Sequence, residues 1–189
     1  MKLVKTTLPG VLIALPQAFA DERGWFMESF NQPRWETALR GLGEPVPPPF
    51  VQDNHSCSKA GVLRGLHYQL PPHAQGKLVR VVHGAAWDVA LDIRRGSASF
   101  GRWFGANLTA TNRRQIWIPP GFAHAFIALE DDTHFLYKTT DLYAKDCERS
   151  IRWDDPALAI PWPLPAGMSA PLVAAKDAAA PPLAAADLP

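Results

Sequence analysis

The chain has almost no cysteine, no surplus of either charge and no long apolar run, and each shortage closes off a class of function. Cys57 and Cys147 are the only two cysteines among 189 residues, stand far apart and form no CxxC pair. A disulfide framework and a thiolate zinc or iron–sulfur centre are therefore not signalled, and a reducing compartment such as the cytoplasm fits. The 19 basic residues stand against 18 acidic ones, which leaves no overall field to draw in nucleic acid or anionic lipid; an anionic ligand has to be held by a local cluster. The apolar run from Val11 to Leu15 is bracketed by Pro9 and Pro16. Despite Lys2, Lys5 and the A-x-A pattern at Ala18–Ala20, it is shorter than the roughly 7 to 15 apolar residues of a secretory signal, and it reads as a buried first strand. No stretch reaches the ~20 residues of a membrane-spanning helix.

The signatures of nucleophilic and phosphate-loop enzymes are also missing. There is no GxSxG elbow and no cysteine beside a catalytic-type histidine, so an activated serine or thiol is not indicated. Gly61, Gly65, Gly76 and Gly84 fall in strands and turns without Walker or dinucleotide spacing.

What is present is strand sequence. Hydrophobic residues make up 47% and charged residues 20%, as in an ordinary globular chain, and the length suits one domain with appendages. Branched or aromatic runs at residues 87–93, 103–109, 115–118, 125–129 and 133–140 are separated by turn signals such as His83-Gly84, Pro119-Pro120-Gly121 and Asp131-Asp132. This spacing predicts an antiparallel sandwich or barrel. Asp21 to Gly24 predicts a turn, followed by an alternation that puts Phe26, Glu28 and Phe30 on one face. Asn31 as cap, Pro33 in the first turn and the Trp35/Leu39 pair predict a short helix stopped by Gly41. After a proline-rich loop, Gln52 and Asn54 share a strand face. From Pro161 onward the chain is rich in alanine and proline, and composition alone predicts a flexible tail in which Asp177 is a stray charge.

The chemistry gathers between Gly61 and Gly84, GVLRGLHYQLPPHAQGKLVRVVHG, where Arg64, His67 and Lys77 interrupt apolar strand sequence. Two strands joined at Pro71-Pro72 would set His67 against Lys77 across a hairpin; a solvated edge strand carrying incidental charges is the plain alternative. A barrel metal site needs two histidines sharing a strand face, and His67-Tyr68-Gln69 supplies only one. His124, after the PPG turn, then reads as a hydrogen-bonded wall residue. Acid–base chemistry by histidine, supported by lysine, tyrosine and a carboxylate, remains.

Eight segments in order, DERGWFMESF, VQDNHSCSKAGVLRGLHYQ, QGKLVRVV, DIRRGSASFGRW, PPGFAHAFIAL, FLYKTTDLY, ERSIRWDD and AAKDAAAP, closely resemble the dTDP-4-dehydrorhamnose 3,5-epimerase family of the rhamnose pathway. The resemblance runs from about residue 2 to about residue 183. It implies a mainly β, cupin-type jelly roll (a double-stranded β-helix) with a short N-terminal helix and a C-terminal extension packed back on the barrel. One domain is expected over residues 1–189: N-terminal strands and helix in 1–50, barrel core in 51–143, and an extension carrying Asp177 in 144–189. No metal and no other cofactor is implied. The implied partners are a dTDP-linked 4-keto-6-deoxy sugar and a second copy, in a homodimer formed partly by exchanging an N-terminal strand. No nucleic acid or membrane is implied, and the compartment is the cytoplasm.

The implied reaction inverts both carbons beside the ketone, taking dTDP-4-dehydro-6-deoxy-α-D-glucose to dTDP-4-dehydro-β-L-rhamnose. By motif, His67 matches the base, Asp177 its carboxylate partner, Lys77 the cation at the ketone oxygen and Tyr137 the acid on the far face, in preference to Tyr143. Arg23 and Arg64 match pyrophosphate contacts, Phe26 and Glu28 the nucleotide end, and Gln52, Asn54, His124, Glu148 and Lys176 the remaining substrate contacts. Arg64 and His67 are three residues apart, so a regular strand would send them to opposite faces; a bulge near Gly65 is predicted. The alternatives are a relative that inverts only one carbon, a non-catalytic sugar-nucleotide-binding cupin, and a metal-dependent cupin.

Overall fold

The computed structural model describes residues 1–189. Its strands are β1 (Lys2–Lys5), β2 (Leu12–Leu15), β3 (Ala18–Asp21), β4 (Gly24–Met27), β5 (Gln52–Ser58), β6 (Val62–Gln69), β7 (Lys77–His83), β8 (Ala85–Asp92), β9 (Trp103–Thr109), β10 (Gln115–Ile118), β11 (Phe122–Ala128), β12 (Thr133–Thr139), β13 (Glu148–Ser150) and β14 (Leu172–Val173). Helix α1 (Gln32–Leu42) lies between β4 and β5, and the single turn α2 (Ala175–Ala178) follows β14. One sheet has the order β1-β2-β10-β7-β12-β5; the second runs β13-β6-β11-β8-β9, with β14 parallel to β6, and β3-β4 is a separate hairpin. This is the expected mainly β, cupin-type jelly roll. No helix is long and apolar enough to cross a membrane.

Three apolar layers explain why so many strand residues are apolar on both faces. Between the sheets, Val79, Val81, Ala90, Ile116, Phe126 and Phe135 interdigitate. The outer face of the second sheet, with Val89, Leu91 and Ala125, is covered by Ile151, Leu158 and Ala186 of the C-terminal segment. The outer face of the first, with Leu12, Leu78 and Trp117, is covered by Trp35 and Leu39 of α1. A strand sandwiched in this way needs no polar face, and every residue of β11 is buried.

Several local expectations change. Asn31 does cap α1, its side chain accepting from the Arg34 N–H at 3.2 Å, but the helix runs through Gly41 to Leu42 and stops at Gly43, whose φ of 71° is left-handed. Leu42 packs against the layer under α1, which offsets the ~1 kcal/mol that a mid-helix glycine costs. Strand β4 ends at Met27, so Phe26, Glu28 and Phe30 do not share a strand face. The Ser29 carbonyl is held by Gln115 Nε2 at 2.8 Å, Glu28 accepts from Asn31 and Arg34 at the start of α1, and Phe30 packs edge-on against Phe50. Finally, β6 and β7 form no hairpin: they belong to different sheets. The segment between them crosses the barrel and ends where Gly76 exchanges hydrogen bonds with Thr140, its N–H donating to Oγ1 and its carbonyl accepting from the Thr140 N–H.

The alanine- and proline-rich end is ordered, against its composition. Its β14 pairs with β6, the Arg152 N–H donates to the Pro181 carbonyl, and the Leu183 N–H donates to Asp155. The tail gains from covering apolar sheet surface what its small side chains cannot provide among themselves.

Candidate active site

The site starts from an irregularity in β6. In the β6–β11 ladder His67 is opposite His124 and Arg64 is opposite Phe126, so three steps on β6 answer two on β11. That extra residue is the predicted bulge, and it turns both Arg64 and His67 to the same cleft. Gly65 sits there with φ of 125°, and a Cβ would fall 2.5 Å from both the Ala125 Cβ and the His124 carbonyl oxygen. Only glycine fits so close to the neighbouring strand.

The bulge turns the Gly65 N–H toward the C-terminal segment, where it donates to Asp177 Oδ2 at 3.3 Å. The other oxygen, Oδ1, lies 2.6 Å from His67 Nε2. Asp177 is 1% exposed. Burial alone would raise its pKa, but the hydrogen bond and charge of His67, together with the Gly65 N–H, outweigh it and leave the carboxyl below its ordinary range. Asp177 is thereby an ionised acceptor for a histidine N–H, which leaves the second ring nitrogen of His67 as the basic one.

Two adjoining hollows form one cleft around this pair, and Asn54, His67, Lys77, Tyr137 and Glu148 line both. Lys77 opens β7 and donates from Nζ to the His67 carbonyl at 3.3 Å. Burial lowers its pKa to about 8, against the opposing pull of Asp88 and Glu148. Tyr137 on β12 stands between Asn54 and Val79, with its ring 6.4 Å from Phe135. Burial raises its hydroxyl above the ordinary value, with Arg64 pulling the other way and Glu148 reinforcing the rise. Gln52 and Asn54 share a face as predicted and bond to each other at 2.8 Å. Glu148 accepts from Tyr143 and from Lys176, each at 3.1 Å.

Of the residues expected at the site, the structure brings His67, Tyr137, Asp177, Lys77, Gln52, Asn54, Arg64, His124, Glu148 and Lys176 to this cleft. It does not bring Arg23, Phe26 or Glu28 to the cleft of the same chain. Arg23 and Phe26 sit on the β3–β4 hairpin, Arg23 paired with Asp21 and Phe26 72% exposed; Glu28 is bonded at the start of α1. Sequence reasoning passed over Tyr143, set aside in favour of Tyr137, and missed Gln69 and Gln75, which line the same cleft, and Asp88, which stands behind the cleft wall bonded to His124. Asp88 carried a readable signal, a carboxylate in the middle of the apolar strand WDVALD. No group of three or more His, Cys, Asp or Glu side chains converges in a metal-binding arrangement.

A dyad of imidazole and carboxylate, a phenol and an ammonium on one cleft is equipped to move a proton at carbon and to hold the charge left behind. Comparison with known proteins agrees with that chemistry. The profile of the family described as dTDP-4-dehydrorhamnose 3,5-epimerase matches residues 5–185. The chain belongs to this family. A curated dTDP-4-dehydrorhamnose 3,5-epimerase of Shigella flexneri is 55% identical over 177 residues, covering 94% of this chain and 93% of the relative. The crystal structure of a dTDP-6-deoxy-D-glucose-3,5-epimerase from Legionella pneumophila, in complex with dTDP-4-keto-L-rhamnose, superposes with a TM-score of 0.91 at 46% identity, covering 100% of this chain and 97% of that one. A 3'-monoepimerase of Streptomyces bikiniensis, in complex with dTDP-quinovose, is more distant, with a TM-score of 0.83 at 33% identity and coverage of 97% and 88%.

Proposed function

We propose that this member of the epimerase family inverts both carbons flanking the ketone of dTDP-4-dehydro-6-deoxy-α-D-glucose, giving dTDP-4-dehydro-β-L-rhamnose. The observation that carries the reading is the 2.6 Å contact between His67 and a buried, ionised Asp177 on a cleft that also holds Tyr137 and Lys77.

A hydrogen next to a ketone is acidic because its removal gives an enolate. The unbonded nitrogen of His67 takes that proton, and Asp177 steadies the imidazolium that forms. The electron pair moves to the ketone oxygen, where the Lys77 ammonium meets charge that exists only after the proton has left. Tyr137, kept protonated by its raised pKa, returns a proton from the opposite face and inverts the centre. The histidine releases its proton to water and the phenol regains one, so the balance closes and hydrogen from solvent enters the product. Arg64 and Lys176, on the same cleft, suit a pyrophosphate, which an arginine fork grips through paired donors.

The remaining assignments belong to the same reading. In a homodimer Arg23 serves the pyrophosphate and Phe26 and Glu28 the nucleotide end, supported by a β3–β4 hairpin that leaves Phe19, Trp25 and Phe26 more than half exposed. Residues 1–189 act as one domain. The free thiols of Cys57 and Cys147 suit a reducing cytoplasm.

Turnover in deuterated water tests the proposal. Label at both carbons beside the ketone, in a product accepted by a reductase specific for the rhamno sugar, is the expected result. Label at one carbon assigns the chain to the single-epimerase branch. No label with bound dTDP-sugar assigns it to non-catalytic binding, and either outcome overturns the proposal.

A further inference from the structure

Asp88 lies on the interior face of β8, wholly buried and opposite Phe126 in the ladder with β11. Its Oδ2 is 2.7 Å from Nε2 of His124, and its Oδ1 meets no hydrogen-bond partner at all. A carboxylate is disfavoured in such a place, and half of this one's hydrogen-bonding capacity is unused. Packing gives no reason for it, since its same-face neighbours Ala86 and Ala90 belong to the apolar interior. The arrangement repeats that of the first dyad: His124 is directly opposite His67, and each ring is held at Nε2 by a carboxylate from another element.

We propose that Asp88 is a positioning residue of the active site, fixing His124 with Nε2 protonated and Nδ1 free to accept from a substrate hydroxyl, while supplying a counter-charge to the Lys77 ammonium. The role deepens the epimerase reading and rests on it. A neutral imidazole donates from one nitrogen only, so a carboxylate at Nε2 decides which nitrogen the cleft receives. Lys77 opens β7, bonded to the His67 carbonyl, and the charges of Asp88 on β8 and Glu148 on β13 favour its ammonium from a distance, with Asp177 beyond His67. The cations on its cleft are Arg64 and Lys176, and His55, His67, Tyr68, His124, Tyr137 and Tyr143 complete the titratable surroundings. Glu148 is already bonded to Lys176 and Tyr143, whereas the one hydrogen-bond partner of Asp88 is His124. Loss of the Asp88 charge makes Lys77 easier to deprotonate.

The test combines Asp88→Asn with nitrogen-15 spectra of His124 in the wild-type protein. In the wild type, a proton on His124 Nε2 is expected; a ring protonated on Nδ1 alone overturns the proposal, whether or not any variant folds and whether or not the substrate assignment is correct. In Asp88→Asn, we expect kcat to fall 10- to 100-fold, the alkaline limb of its pH profile to move at least half a unit lower, and KM to change less than kcat. An Asp88→Asn protein with a lower melting temperature but the wild-type pH limb and kcat shows a merely structural role and overturns the proposal. Absence of turnover in the wild type counts against the epimerase reading alone, because the tautomer of His124 still decides the role of Asp88.

Discussion

The exchange of Asp177 for asparagine is the most searching test of the dyad, because the two hydrogen bonds that Asp177 accepts make asparagine choose between them. Oδ2 accepts from the Gly65 N–H and Oδ1 faces His67 Nε2. A backbone N–H can only donate, so asparagine satisfies both neighbours only by turning its oxygen to Gly65 and its NH2 to the ring. Nε2 then has to accept, and the proton moves to the nitrogen that the reaction needs bare. The opposite flip keeps the ring tautomer but sets NH2 against N–H, leaving a buried donor unmet at about 1–3 kcal/mol. Asparagine also removes the charge that steadies the imidazolium, a charge-assisted bond of about 1.5–3 kcal/mol. Together these come to about 2.5–6 kcal/mol, or roughly 10²- to 10⁴-fold in kcat at a factor of ten per ~1.4 kcal/mol. The favoured flip keeps both hydrogen bonds, so the melting temperature should stay within about 4 °C of the wild type, a change of ~1–2 kcal/mol for a chain of this size. Solvent-deuterium incorporation and a thermal melt on the same preparation decide the matter. A folded Asp177→Asn protein that exchanges within threefold of the wild-type rate would refute the dyad as the working base.

Other consequences can be checked with the same assays. Tyr137→Phe should let His67 still wash label into the carbon acid while net inversion falls about 10²- to 10⁴-fold; unchanged inversion removes Tyr137 as the acid. Lys77 has a pKa near 8 in the fold, below its ordinary 10.5, so the unfolded chain binds more protons between those values and stability rises with pH across that window. Holding the buried ammonium charged at pH 7 costs about 3 kcal/mol at most; Lys77→Met should therefore be more stable than the wild type at pH 7, by less at pH 10, and inactive. Denaturant midpoints at the two pH values measure this, and a gap that does not narrow counts against the burial argument. Gly65→Ala combines a forbidden φ with contacts of 2.5 Å to β11. It should cost about 3–5 kcal/mol and lower the melting temperature by roughly 10 °C or more; a stable, active variant would show that the bulge tolerates a side chain.

Much of this protein was legible in the order of its residues. Alternation and turn chemistry are local, so the spans of the strands at Trp103–Thr109 and Gln115–Ile118 and the cap at Asn31 are written where they act. The bulge at Gly65 followed from the three-residue spacing of Arg64 and His67 once the resemblance set both on one site. Charge within apolar strand sequence marked His67 and Lys77, while the resemblance gave them their roles and added Tyr137 and Asp177. Composition read the end of the chain as a loose tail, because alanine and proline say nothing about an apolar surface elsewhere that they can cover. Only the folded chain sets Asp177 against His67 across 110 positions. It also parts β6 from β7 into opposite sheets and buries Asp88 behind His124. Such contacts depend on which surfaces remain uncovered after the sheets pair, a property of the assembled barrel that no window along the chain contains.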